Sequence, residues 1–312
     1  MSRALAALAL ISALAQAQPV TRIVVPFAAG GVQDIVARSF NAELGALLGR
    51  SVIVENRAGA GGTIGTGSVA KSAPDGQTLI LAAASHTIAG SLYSKLSYEP
   101  LEDFTPIAHI GNVDYVLLIS AAVPAKSVAE FVSYAKANPG KLNYASAGNG
   151  SATHLAMAYF SSLAGIEMVH VPYKATGEAV NEVLAGRAHA VIAANIGAIP
   201  YVNDPRVRAL ASTGSKRSKF LPALPTVDEA GVRGYSFDSW IGLLGPARIP
   251  PQTVEAISAA VAKLLKDRVI LERLDKQGIV PQAMSPQAFG ELLRADYGKM
   301  ARVVKLSGAR ID

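Results

Sequence analysis

The stretch with the clearest chemical potential joins a short apolar run to two glycines and the start of a helix. The β-branched run Ile23-Val24-Val25 is typical of a buried strand, and apolar residues at helical spacing follow from Ile35. Between them, Gly30-Gly31 leaves backbone N–H groups at a helix start, where the helix dipole adds partial positive charge. No lysine or arginine lies in residues 28–33, so an anion bound there would be held by the backbone. The alternative is a turn whose glycines serve only backbone geometry.

A second glycine-containing loop, residues 146–151, follows the predicted strand 142–145 and opens a predicted helix 151–163. With Tyr144 two residues before Ser146, the sequence nearly matches the G-x-S-x-G nucleophile elbow of hydrolases. A serine hydrolase would need an acid and then a histidine later in the chain, and no histidine follows His189. The loop is better interpreted as a cradle of hydroxyl and amide groups for a carboxylate, mirroring the first loop.

Other candidate chemistries are less well supported. The glycines of residues 61–67 have the spacing of short-chain dehydrogenases, but no tyrosine is followed by lysine four residues on, so tight packing at a helix start is favoured over dinucleotide binding. The five histidines lack metal-binding spacing and the chain has no cysteine, so no metal site is predicted. Asp34, in the first turn of its helix, is open to two interpretations: contact with a ligand amine, or a loop brace favoured by the dipole.

Strand-like and helix-like runs alternate along the chain, which predicts an α/β fold with parallel sheets. The same strand–glycine loop–helix unit occurs in both halves. Connections near 121–126 and 235–245 predict one domain from residues 18–122 plus 240–312 and another from 123–239. This organisation leaves a cleft between two lobes, with the carboxyl ends of strands facing it.

Composition and charge narrow the class of protein. Residues 1–17 are typical of a secretory signal peptide, with Arg3, the apolar run 4–14 and the cleavage pattern Ala15-Gln16-Ala17. Without cysteine, the exported chain has neither disulfide nor thiolate. The formal net charge of +6 falls to +5 without the signal peptide, and the basic residues are too scattered for a nucleic-acid face.

Six motifs, ordered along nearly the whole mature chain, resemble those of the periplasmic receptors of tripartite tricarboxylate transporters, the Bug family. Each motif alone is weak, but together they are highly specific. The motifs are Pro26-Phe27-Ala28-Ala29-Gly30-Gly31 with Asp34, residues 55–62, residues 92–100, residues 146–151 with His154-Leu155, Val171-Pro172-Tyr173-Lys174, and Trp240-x-Gly242.

The resemblance implies a two-lobed Venus-flytrap fold of type II-like topology that closes on a carboxylated solute and delivers it to the permease subunits of the transporter. It implies a monomeric periplasmic receptor, not an enzyme, without metal or cofactor. In the family, the two glycine-rich loops pinch one carboxylate. The expected ligand-binding residues are Phe27, Ala29, Gly30, Gly31, Asp34, Ser85, Ser146, Ala147, Asn149, Gly150, Ser151, Tyr173 and Asn195.

There are two departures from the family pattern. Ala175 stands where glycine is usual after Tyr173-Lys174, which would reshape that loop, and Ala193-Ala194-Asn195 replaces a bulkier segment, which would change the far pocket. The solute stays open among dicarboxylates or tricarboxylates, aromatic carboxylates and amino acids. A serine hydrolase using Ser146 and a ligand-sensing partner of a signalling system remain alternative functions.

Overall fold

A computed structural model describes residues 20–307 and Ala309; the predicted signal peptide lies outside the described residues. Strands and helices alternate, as the sequence predicts. In chain order they are β1 Val20–Val25, α1 Val32–Leu48, β2 Ser51–Asn56, α2 Thr63–Ala70, β3 Thr78–Ala83, α3 Ser85–Leu92, β4 Phe104–Val113, β5 Tyr115–Ser120, α4 Val128–Ala137, β6 Asn143–Ser146, α5 Ala152–Ala164, β7 Val169–Pro172, α6 Thr176–Leu184, β8 Ala190–Ala194, α7 Asn195–Ala198, β9 Val207–Ser212, β10 Ser239–Pro246, α8 Pro251–Leu264, α9 Arg268–Lys276, β11 Ile279–Met284 and α10 Pro286–Ser307.

The strands form two sheets, of order β11-β4-β10-β3-β1-β2 and β7-β6-β8-β5-β9. The expectation of parallel sheets is only half right. The strand–loop–helix units pair in parallel, β1 with β2 and β3, and β6 with β7 and β8. The strands next to the connections between sheets, β4, β5 and β10, pair antiparallel with their neighbours, because the chain enters and leaves each lobe in the opposite direction.

The first passage between sheets differs from the sequence expectation. β4 belongs to the six-stranded sheet and β5 to the five-stranded sheet, so the chain crosses at Asp114 and not within 121–126. Segment 121–126 belongs with the second lobe, because the guanidinium of Arg208 on β9 donates to the carbonyls of Ala121 and Val123. The chain returns to the first sheet at β10. The predicted domain limits near residue 122 would therefore move to residue 114 if drawn by sheet membership.

Local sequence signals explain where helices α1, α4 and α5 begin or end. Ser127 and Ser151 occupy the N-cap positions of α4 and α5, and their hydroxyls accept hydrogen bonds from the N–H groups three residues on. Helix α1 buries Phe40 and Leu44 and ends at Gly49, whose φ of +64° suits glycine. These helices are held on the sheets by one continuous apolar core.

Helix α10 contacts both lobes. Its Asp296 carboxylate accepts hydrogen bonds from Thr87 Oγ1 on α3 (2.6 Å) and from Trp240 Nε1 on β10 (2.8 Å). At its other end, the Leu306 carbonyl accepts from Ser162 Oγ on α5 at 2.5 Å. The last helix therefore ties the second lobe to the first. None of the helices in residues 20–307 is both long and apolar enough to cross a membrane.

Candidate functional site

A cleft between the lobes has a volume of about 550 Å³, including the part that opens to solvent. Five of the predicted site residues line it. The lining residues are Phe27, Gly31, Val32, Gln33, Ala83, Ser85, Val113, Tyr115, Ala147, Ser151, Ala152, Thr153, Ala175, Thr176, Ala194 and Ile241.

Four helices begin at this cleft. Gln33 lies in the first turn of α1, Ser85 is the first residue of α3, Thr153 lies in the first turn of α5, and Thr176 is the first residue of α6. The lining contains no lysine, arginine, histidine, aspartate or glutamate. The positive ends of four helix dipoles therefore meet in a space without charged side chains, an arrangement that favours an anion.

In the first loop, the Asp34 carboxylate and the N–H groups of Gly30 and Gly31, which the sequence suggested as ligand contacts, form hydrogen bonds within the protein. Asp34 Oδ2 accepts the Gly30 N–H at 2.9 Å, and its Oδ1 accepts Arg38 Nε at 2.9 Å. The Gly31 N–H donates to the Ala28 carbonyl at 3.2 Å. Asp34 thus serves as the loop brace, the second of its two interpretations. The donors that remain are the first-turn N–H groups of α1, for which no protein acceptor lies within reach among the described residues.

The second loop repeats this design. Four of its N–H groups are used within the loop and the helix start, which fixes the loop's shape. They donate as Ala147 to Thr153 Oγ1 (2.8 Å), Gly148 to Ser146 Oγ (3.1 Å), Gly150 to His154 Nδ1 (3.2 Å) and Ser151 to the Gly148 carbonyl (3.1 Å). The N–H groups without an acceptor among the described residues are again in the first helical turn, at Ala152 and Thr153, and both residues line the cleft.

A stack of three rings supports the second loop. The His154 and His170 rings are 4.0 Å apart, and Tyr144 stacks on His170 at 4.9 Å. Burial lowers the pKa of His154 to about 3, with help from the neighbouring His170, and burial lowers the pKa of His170 to about 4. Both rings are therefore neutral at physiological pH, and His154 Nδ1 has a lone pair for the Gly150 N–H.

The Ser146 hydroxyl belongs to this support and not to the cleft. It is fully buried, lies 2.6 Å from His170 Nε2, and accepts the Gly148 N–H. A nucleophile must reach a substrate carbonyl. The position of Ser146 beneath the loop therefore gives no support to the serine hydrolase alternative.

The remaining predicted residues lie at the rim or outside the cleft. Ala29, Gly30 and Asn149 are exposed, and Gly150 is buried against the first lobe. Tyr173 directs its hydroxyl to Glu182 at 3.3 Å.

Asn195 is fully buried at the passage between the sheets. Its N–H donates to the Asp114 carbonyl, and its Nδ2 donates to Ser218 Oγ at 3.0 Å. Ser218 Oγ in turn donates to Asp114 Oδ2 at 2.8 Å. Asn195 therefore joins the segments that connect the lobes and does not line the cleft.

Sequence reasoning missed the apolar floor of the cleft. Val113 and Tyr115 flank the crossing at Asp114, and Ile241 pairs with Ala83 on the neighbouring strand. Val113, Tyr115 and Ala83 lie at strand ends, and Ile241 is the third residue of β10. No motif marks Val113, Tyr115 or Ala83, because their types are ordinary for buried strands, and Ile241 occupies the variable position of the Trp240-x-Gly242 motif. Only the strand order of the two sheets brings them together.

The lobes touch each other where Tyr93 and segment 59–62 meet Asn149. Tyr93 Oη donates to the Ala60 carbonyl at 2.8 Å and lies 3.5 Å from the Asn149 carbonyl of the second lobe. A Cβ on Gly61 would lie 2.4 Å from that same Asn149 oxygen. The glycine-rich segment 59–62 therefore allows a close approach between lobes, whereas the sequence suggested packing at a helix start.

In the part of the chain that the structure describes, no cluster of three or more histidine, aspartate or glutamate side chains could hold a metal ion. The candidate site is thus a binding cleft built from backbone amides, hydroxyl groups and apolar side chains.

Comparison with known proteins identifies the class of this fold. The structure superposes on the periplasmic binding protein BugD with a TM-score of 0.87 at 33% identity, over 93% of this chain and 98% of that one. It superposes on Rpa4515 of R. palustris, solved with adipate, with a TM-score of 0.88 at 33% identity and the same coverage. The fold is therefore the two-lobed α/β fold of periplasmic binding proteins.

The sequence comparisons identify the family. Residues 36–308 match the tripartite tricarboxylate transporter family receptor. The chain is 33% identical to protein BugT of Bordetella pertussis over 301 residues, which cover 95% of this chain and 91% of BugT. The chain belongs to the tripartite tricarboxylate transporter receptor family, as its motifs suggested.

Proposed function

We propose that this protein is a periplasmic receptor that captures a small carboxylate between its lobes and delivers it to the permease of a tripartite tricarboxylate transporter. It acts by binding and release, without a catalytic step. The adipate in the Rpa4515 structure supports a carboxylate as ligand. Export by the predicted signal peptide would place the receptor where such a permease collects its solute.

The observation that carries this proposal is the convergence of four helix starts on an uncharged cleft. A carboxylate accepts several N–H bonds at once, and charge-assisted bonds are stronger than neutral ones. The first turns of α1 and α5 face the cleft from opposite lobes. One carboxylate bound to both would favour the closed arrangement of the lobes over an open one.

Proline substitution tests the anchor because it removes one N–H and is tolerated at the first helical position. Gly31 and Ser151 precede those positions with extended backbones (ψ of 167° and 157°), which a following proline requires. We expect Val32→Pro and Ala152→Pro each to weaken carboxylate binding about 10- to 100-fold, equivalent to one charge-assisted hydrogen bond. Isothermal titration calorimetry against a carboxylate panel measures the effect.

Arg268→Pro is the matched control. Arg268 is the first residue of α9, it follows Asp267 with an extended backbone, and it lies outside the cleft lining. All three variants should unfold near the wild-type temperature. Unchanged affinity in both Val32→Pro and Ala152→Pro would contradict the backbone anchor, and the absence of binding to any carboxylate by the wild type would contradict the proposed function.

A further inference from the structure

We infer that Gln33 of the first lobe and Thr176 of the second lobe select the solute through hydrogen bonds to a polar group other than its anchored carboxylate. This inference rests on the proposed function and narrows its solute class. The ligand is a carboxylate with a second hydrogen-bonding group, such as a hydroxyl, an amide or a further carboxylate. Neither side chain was expected at the site from the sequence, and both are identified by their burial and their unused hydrogen-bonding capacity.

The Gln33 side chain is buried beside the cleft without a hydrogen bond to the protein. Gln33 is 8% exposed, lies in the first turn of α1 and lines the cleft. Its neighbour Asp34 uses both carboxylate oxygens, whereas the Gln33 amide has no partner among the residues that the structure describes. Buried polar groups in native proteins are nearly always paired, because an unpaired one is costly. The Gln33 amide therefore has donor and acceptor capacity for a ligand.

Thr176 presents a similar group from the second lobe. It is the first residue of α6, is 8% exposed and lines the cleft. A Cβ on Gly197 would lie 3.2 Å from Thr176 Cγ2, so the methyl branch of the threonine faces α7. The hydroxyl, on the other branch, has no hydrogen-bond partner within the described chain. Ser85, at the start of α3, is also 8% exposed and has an unused hydroxyl at the same cleft.

The location of these groups, together with their lack of protein partners, points to a ligand. Thr21 Oγ1 on β1 also lacks a partner among the described residues, but it is fully enclosed by protein and lies away from the cleft lining. The polar atoms of Gln33, Ser85 and Thr176 are not enclosed in this way. Three unused groups from two lobes therefore border one space of about 550 Å³.

A ligand with a purely hydrocarbon body would leave these buried groups unpaired. A site built to hydrogen-bond a substituent discriminates strongly against the analogue that lacks it, because the polar groups of the site then lose their partners. Amide and hydroxyl side chains both donate and accept, so this set is complementary to a hydroxyl group, an amide or the oxygens of a carboxylate.

A panel of four-carbon and six-carbon carboxylates tests this selection. The first set is butanoate, the hydroxybutanoates, succinamate and succinate, and the second is hexanoate, 6-hydroxyhexanoate, adipamate and adipate. In calorimetric titrations, we expect the best polar member to bind at least about tenfold more tightly than the unsubstituted acid of the same length. A smaller advantage would overturn the inference and leave the carboxylate receptor standing, whereas no binding by any member would overturn the proposed function.

Two substitutions of nearly unchanged volume assign the selection to these side chains. Gln33→Met and Thr176→Val should each lower the affinity for the best polar ligand about 3- to 10-fold and leave the affinity for the unsubstituted acid nearly unchanged. Neither should lower the unfolding temperature of the ligand-free protein, because neither breaks a side-chain hydrogen bond within the described chain.

Thr21→Val is the matched control, because it also removes an unused buried hydroxyl but lies outside the cleft lining. It should leave the ratio of the two affinities at the wild-type value. An unchanged ratio in both Gln33→Met and Thr176→Val would overturn the assignment. An equal loss of affinity for the polar and the unsubstituted ligand would also overturn it, since that result indicates a structural role.

Discussion

At the scale of single residues, three histidines with lowered pKa values make the stability of the chain depend on pH, and two of them, His154 and His170, support the second loop of the candidate site. Burial lowers the pKa of His86 to about 4, although the hydrogen bond that its Nε2–H donates to the Pro100 carbonyl acts in the opposite direction, and burial also lowers the pKa values of His154 and His170. In the unfolded chain these imidazoles return to a pKa near 6.5. Between pH 6.5 and about 4 the unfolded chain therefore binds more protons than the folded chain.

We therefore expect the contribution of these histidines to the free energy of unfolding to be complete above pH 6.5 and to fall as the pH decreases below that value. Each of the three imidazoles contributes a slope of up to about 1.4 kcal/mol per pH unit. His154→Asn should reduce this slope by the share of one imidazole, up to about 1.4 kcal/mol per pH unit. The amide oxygen of asparagine can still accept the Gly150 N–H, but the amide does not titrate. Denaturant unfolding from pH 4.5 to 7.5 measures the slopes, and equal slopes for variant and wild type would contradict the assignment.

At the scale of elements, much of this fold follows from the sequence. The strand at Val207–Ser212, the N-cap at Ser127 and the helix after Pro250 lie where local patterns place them, because such signals act within a few residues. The sheet of β5 could not be predicted in this way. β4 and β5 are separated only by Asp114, and nothing in their composition shows that the second strand pairs with β8 and β9 in the other sheet.

The candidate site shows the same limit. Both glycine-rich loops are recognisable from sequence, but the loop amides are satisfied internally and the donors toward the cleft come one or two residues later. Sequence alone does not tell which N–H groups are already in use, since their acceptors (Asp34 and His154) could equally have faced a ligand. The first-turn N–H groups of every helix lack partners within the helix, so a search that included all residues at the two predicted helix starts would have included Val32 and Ala152.

Two N-caps give a matched pair for separating helix stability from binding. Ser127→Ala and Ser151→Ala each remove a hydroxyl that accepts a first-turn N–H, and each should lower the free energy of unfolding by about 1 kcal/mol. Only Ser151 lines the cleft. We expect weaker carboxylate binding in Ser151→Ala alone, measured by calorimetry beside denaturant unfolding; equal affinities in the two variants would argue against α5 as part of the anchor.

At the scale of the whole molecule, the two lobes meet in a narrow contact at Gly61, Tyr93 and Asn149. Gly61 has a φ of +63°, and a Cβ there would meet both the Asn149 carbonyl and Tyr93 Oη within 2.5 Å. Gly49 has nearly the same φ, +64°, but a Cβ there would meet nothing within 4 Å. The two glycines share a backbone conformation in which alanine would be strained, and they differ in what surrounds them.

Gly61→Ala should therefore hold the lobes apart, whereas Gly49→Ala should cost only the backbone strain, about 1 kcal/mol. Small-angle X-ray scattering with a saturating ligand should show a larger radius of gyration for Gly61→Ala than for Gly49→Ala, together with weaker binding. Identical scattering curves for the two variants would mean that the lobes close without the contact at Asn149.

The backbone anchor has a consequence for how such receptors change over evolutionary time. Every residue type except proline carries an N–H, so substitutions at Val32, Gln33, Ala152 or Thr153 leave the number of donors intact. The rest of the cleft lining, in contrast, consists of side chains, and a single substitution changes such a contact. Under the proposed function, substitutions at Val113, Ala175 or Ile241 in a duplicated gene would therefore change which solute is bound without removing the backbone donors for a carboxylate.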